Sequence, residues 1–150
     1  MAKKSAPAAK TPSSATNDIP VVATPGEIWK DEPDTHDYPA AVSYLRLLTT
    51  PKWAKKLAKQ MKTAPIEHHP AKDLLRASGL SLLPQDDPAV QRDLAKVAAG
   101  DRLSPVLIVR GDGARGFPAV IADGYHRVCA SYHLSENEQI PCRIIDYPTR

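Results

Sequence analysis

The sequence predicts a small α/β (α+β) domain in which helices pack on a small mixed sheet. Three observations predict it. Apolar, β-branched runs at 105–109, 119–122 and 140–145 punctuate the C-terminal third. A helical stretch over 125–134 separates the last two runs. Upstream, apolar residues recur at helical spacings between prolines and glycines, so strands and helices share one body. The 150 residues suffice for one domain with tails. Aromatics are 5% with one Phe, Phe117, so Leu, Val, Ile and Ala are expected to build the core.

Residues 1–35 read as a disordered tail rich in Pro, Ala and Ser. Prolines at 7, 12, 20, 25 and 33 break any period, and little apolar surface is available to offset ordering entropy. Ile19-Pro-Val-Val is the one patch that could clip onto a sheet edge. Residues 36–63 read as a helical N-terminal extension. Tyr38, Val42, Leu45 and Leu48 form its first apolar face, widened by Tyr44 and Leu47. Pro51 sits where a new helix tolerates Pro, in its first turn. Trp53, Leu57 and Met61 then recur every four residues among Lys52, Lys55, Lys56, Lys59 and Lys62, with no acid between them. That amphipathic helix presents either a solvated lysine face or a contact for nucleic acid or another anionic surface.

The domain proper is expected over 64–150. Pro65 to Pro70 reads as a short extended piece. Lys72 to Ser78 reads as a helix closed by Gly79. Leu80 to Pro84 reads as a loop or brief strand. Asp86-Asp87-Pro88 starts a helix, with acids at its positive end and Pro just inside, and Val90, Leu94 and Val97 face the core until Gly100. Pro105 to Val109 reads as a buried strand, Gly111 to Gly116 as turn chemistry, and Ala119 to Ala122 as a second strand. Asp123-Gly124 breaks that strand, and a helix follows over Tyr125 to Leu134 with Val128, Cys129 and Tyr132 inward and His133 outward. Ile140 to Ile145 is the closing strand.

Composition excludes several classes. A mean hydropathy of -0.37 and no run of about 18 apolar residues predict no membrane span, and no membrane partner is expected. No apolar stretch follows Met-Ala-Lys-Lys, so no secretory signal is expected and the cytoplasm is the default location. Cys129 and Cys142 lack metal spacing and are expected as core thiols. The net charge of +3 divides into -2 over residues 1–38 and +5 over the rest, compatible with a phosphate-bearing partner.

The segment Ile121-Ala-Asp-Gly-Tyr-His-Arg127 carries the chemistry. A buried strand ends at Asp123, Gly124 allows a sharp turn, and a helix begins with His126 and Arg127 in its first turn. Free N–H groups and the dipole make such a terminus an anion site. Cations are otherwise unfavourable there, and a local conflict of that kind points to function. Glu67-His68-His69 could hold a metal or supply a base, but neighbours on a strand point to opposite faces and the three do not converge.

Pro105-Val-Leu-Ile-Val, Ile121-Ala-Asp-Gly-Tyr-His-Arg127, Ala130 and Ile140-Pro-Cys-Arg-Ile together resemble the ParB/sulfiredoxin superfamily over about Leu103 to Ile145. The loop is most similar to that of its free-serine-kinase-like members. Tyr125 stands where sulfiredoxins carry their reactive Cys, and Tyr125 and His126 replace a Glu and an Arg of the CTP-hydrolysing partition proteins. The resemblance implies a nucleotide or other phosphate ligand, with ATP, ADP and CTP not distinguished and magnesium a possible companion. It implies phosphate contacts from Gly124, Tyr125, His126 and Arg127, and catalytic roles for Asp123, His126 and an earlier acid, for which Glu67 is the nearest candidate. An NTPase or a small-molecule phosphotransferase would follow, although the residues alone leave open whether the domain is an enzyme. The alternative is a non-catalytic, DNA-associated accessory protein using the lysines of 52–62. A third reading is a protein-interaction module tethered by the proline-rich tail.

Overall fold

A computed structural model describes residues 27–147. It contains α1 (Asp37–Leu45), α2 (Pro51–Met61), β1 (Ile66–Pro70), α3 (Ala71–Ser78), α4 (Pro88–Ala98), β2 (Val106–Val109), β3 (Val120–Asp123), α5 (Tyr125–Leu134) and β4 (Gln139–Ile145). The sheet has four strands in the order β1-β4-β2-β3. β2 and β4 run parallel at its centre, and β1 and β3 pair antiparallel at the two edges. α5 carries the chain from edge strand β3 back over the sheet to β4, as a parallel pair requires.

The strands alternate between two cores, because successive side chains leave a sheet on opposite faces. Val106, Ile108, Ile121, Ile140 and Cys142 face α3, α4 and α5. Leu107, Val109, Ala122 and Ile145 face α1 and α2. The fold is therefore three layers, with α1 and α2 on one side of the sheet and α3, α4 and α5 on the other. Residues 36–63, expected as an extension, form a full layer of the domain, because among the described residues α1 and α2 cover the second face of β2.

Punctuation residues start and end the helices near where the sequence suggested. Thr50 accepts from Trp53 N–H ahead of Pro51, and Asp87 accepts from the N–H groups of Ala89 and Val90 ahead of Pro88. Gly79 closes α3 in the left-handed conformation, at φ 69°. Both cysteines are buried and unpaired, and burial pushes the Cys142 thiol up to about 12.

Three expectations are corrected. Order extends back into the expected tail. Trp29 is buried within the α3–α5 core, and its indole N–H donates to Glu138 Oε2 at 3.1 Å. Backbone bonds between residues 28–30 and Leu103 hold that segment beside the start of β2. The remainder of the expected tail, including Ile19 to Val22, lies outside the described residues. Leu48 does not belong to the α1 core face and Tyr44 and Leu47 do not widen it, since all three are exposed and Tyr38, Ala41 and Leu45 do the packing. Leu80 to Pro84 takes the loop alternative of its expectation and not the strand. His133 does not lie free on the helix surface but donates from Nε2 to Leu83 O at 2.7 Å, clamping that loop onto α5. No helix among the described residues is long and apolar enough to cross a membrane.

Candidate functional site

The strand-to-helix corner forms because β3 ends against Leu107 and Gly124 turns the chain at φ 114°. That conformation favours glycine, and here space demands it too. A Cβ on Gly124 would meet Val106 Cγ2 at 2.9 Å and Arg127 Nη2 at 3.0 Å. Gly124→Ala is expected to lower stability by about 2–4 kcal/mol, combining backbone strain with overpacking. Urea denaturation checks this, and a midpoint unchanged from the parent would show that the turn is not under this constraint.

Among the described residues no side chain caps the N-terminus of α5. Gly124, His126 and Arg127 at this helix start line a cavity of about 210 Å³ between α4 and α5. α4 contributes Ala89, Arg92 and Asp93 to the wall, one helical face at spacings of three and four. The loop contributes Asp123, Gly124, His126 and Arg127. His126 is exposed at the rim, with its ring centroid 5.6 Å from that of Tyr125.

Arg127 lines the same cavity but its tip is turned inward. Nη2 donates to Asp123 Oδ2 at 2.9 Å and to Pro105 O at 3.2 Å, and lies 3.7 Å from Asp37 Oδ2. Asp37 comes from the opposite layer. Its buried carboxylate also accepts from Ser104 Oγ–H and from Asp34 N–H, the latter at 3.2 Å. Two carboxylates thus share one guanidinium beneath the floor of the site. Burial raises the Asp123 pKa above its ordinary value, Arg127 counters this, and Asp37 adds to it. Burial raises Asp93 as well, opposed by the charges of Arg127, Lys96, His126 and Arg92.

The structure gathers Asp123, Gly124, His126 and Arg127 at one cavity and leaves out Glu67 and Tyr125. Glu67 stands on β1, the edge strand opposite β3, so three strand spacings of about 4.8 Å separate it from the loop. Its carboxylate lies 3.1 Å from His69 Nε2 and 3.5 Å from Arg110 Nη2, while His68 is exposed. Tyr125 O–H donates to Ser81 O and so braces the 80–84 loop. Arg92, Asp93, Asp37 and Ser104 were missed in the sequence. The spacing of Ala89, Arg92 and Asp93 was the only available signal, and nothing local marks Asp37 or Ser104 as neighbours of Arg127.

Asp34, His36 and Asp37 bring potential metal donors within 4.8 Å of one another. Their carboxylates already have cations. Lys30 Nζ is 2.8 Å from Asp34 Oδ1, and Arg127 is beside Asp37. Of the two carboxylates lining the cavity, Asp123 is paired with Arg127, and Asp93, which has no ion pair among the described residues, is the one that could serve as a metal ligand. Compared with family models, curated proteins and solved structures, the chain matches none.

Proposed function

We propose that this domain binds a phosphate-bearing small molecule at the N-terminus of α5, with the phosphate seated in the cavity between α4 and α5. One observation carries the reading: an uncapped helix start opens into a cavity flanked by Arg92 and His126. The N–H groups of His126 and Arg127 supply donors and the dipole favours negative charge. Arg92 and His126 add charge-assisted hydrogen bonds. Arg127 acts as a positioning residue, because its guanidinium is already committed to Asp123, Asp37 and Pro105 O.

The cavity volume of about 210 Å³ is below the range usual for whole drug-sized ligands, so the phosphate end occupies it and the rest of the molecule lies outside. A nucleotide or a phosphorylated metabolite can bind in that way. The loop's resemblance to the ParB/sulfiredoxin superfamily supports the same reading. Phosphoryl transfer asks chiefly for positioned charge and a base, and Asp93 replaces Glu67 as the acid in reach of the ligand. Magnesium, held by Asp93 together with the phosphate, would neutralise charge on that group.

Isothermal titration of the full chain with nucleotides and small phosphate monoesters, with and without magnesium, tests the proposal. Arg92→Ala and His126→Ala are each expected to weaken binding about 10-fold or more at an unchanged urea midpoint. Failure of the parent chain to bind any of these ligands, or equal binding by both variants, would reject it.

A further inference from the structure

The solvent face of α2 is not used by the cavity. Lys52, Lys55, Lys56, Lys59 and Lys62 are all exposed. Between Asp37 and Glu67 the chain holds six cations, Arg46 and these lysines, and no acid. None of the six has an ion-pair partner among the described residues. Net charge is therefore concentrated on one layer of the fold.

At the N-terminal end of the same helix, large apolar side chains stand in water. Leu47 is 79% and Leu48 55% exposed in the α1–α2 connection, with Tyr44 and Trp53 beside them in sequence at 43% and 38%. Lys56 Nζ lies 4.8 Å from the Trp53 ring centroid, joining the basic face to the aromatic one. Packing does not require these side chains. Tyr38, Ala41 and Leu45 anchor α1, and Ala54, Leu57 and Met61 anchor α2.

We propose that this corner docks on the surface of an anionic lipid bilayer. Leu47, Leu48 and Trp53 enter the boundary between headgroups and acyl chains, and the lysines lie against acidic headgroups. Charge complementarity calls for a polyanion, and the leucines call for an apolar acceptor at the same place. Nucleic acid answers the first demand and can stack on Trp53, but its phosphate–sugar exterior offers Leu47 and Leu48 no apolar surface unless bases are unstacked at a cost in free energy. A bilayer answers both. The expectation of no membrane partner rested on hydropathy, which addresses spanning and not surface contact.

Vesicle binding by the full chain tests this, with Trp53 as the reporter because Trp29 is only 1% exposed. Sedimentation with phosphatidylserine-containing vesicles, absent with phosphatidylcholine alone, is expected, together with a blue shift of tryptophan emission and weakening by salt. Lys55→Glu with Lys59→Glu should abolish binding. Leu47→Ser with Leu48→Ser should weaken it about 10-fold or more and remove the blue shift at an unchanged urea midpoint. The proposal is overturned if anionic vesicles do not sediment the chain, if the leucine variant binds like the parent, or if duplex or single-stranded DNA binds more tightly than the vesicles. A concentration-dependent dimer that shields Trp53 from iodide without lipid would also overturn it, assigning the corner to a second copy of the chain.

Discussion

Replacing Arg127 by Met is expected to lower the free energy of unfolding by about 3–5 kcal/mol, the usual cost of removing one partner from a buried ion pair. Met keeps much of the side-chain volume, so the loss reports charge and hydrogen bonding. The carboxylates left behind are Asp37, 3% exposed at its side chain, and Asp123, 18% exposed. Asp37 is left buried without a cation, Asp123 keeps only its contact with the cavity, and Pro105 O loses a donor. The pH dependence has a definite sign. Asp123 has its folded pKa raised above the ordinary 3.8, so the folded state keeps a proton that the unfolded chain has lost, and stability falls as pH rises through that window. Without the guanidinium the folded pKa rises further and the window extends upward. The deficit of Arg127→Met should therefore be largest near neutrality and shrink toward roughly pH 4. Urea denaturation at both ends checks it. A deficit under about 1 kcal/mol, the size of a surface pair, or one that grows toward acid, would contradict the network. Because this variant unsettles the fold, the Arg92 and His126 variants are the cleaner tests of ligand binding.

Trp29→Ala should cost about 3–5 kcal/mol and lower the thermal midpoint by about 10 °C or more. The side chain is 1% exposed inside the α3–α5 core, so its removal leaves a large cavity. It also takes the indole donor from Glu138, a 7%-exposed carboxylate whose pKa burial already raises and the Trp29 bond lowers. A residue in an unstructured tail would change stability by no more than about 0.5 kcal/mol. Calorimetry of the full chain separates the two outcomes, and a near-neutral result would return residues 27–35 to the tail.

The elements were legible because their signals are local. Pro51 and Pro88 mark helix starts, Gly79 marks a helix end, and the runs at 105–109 and 140–145 have the length and branching of buried strands. Asp123-Gly124 was readable as a turn that exposes a helix start. Trp29 was not legible as core, because Pro25 and Pro33 flank it and no period surrounds it. Its partners, Leu103 and Glu138, are brought to it only by the sheet. The exposure of Leu47 and Leu48 was likewise hidden, since helical spacing says which residues share a face but not how much of that face a neighbour covers.

The sequence by itself determined the order and type of the elements and the Gly-led corner at which α5 begins. Those follow from side-chain periodicity and backbone freedom within a few residues. The tertiary structure alone decided which acids belong to that corner. It brought Asp93 from α4 and, from across the sheet, Asp37, 67 residues away from the Ser104 that bonds it. It also sent Glu67 to the far edge strand. Strand order set these distances, and strand order comes from how two layers of helices bury both faces of one sheet, a balance summed over the whole chain that no short window of residues contains.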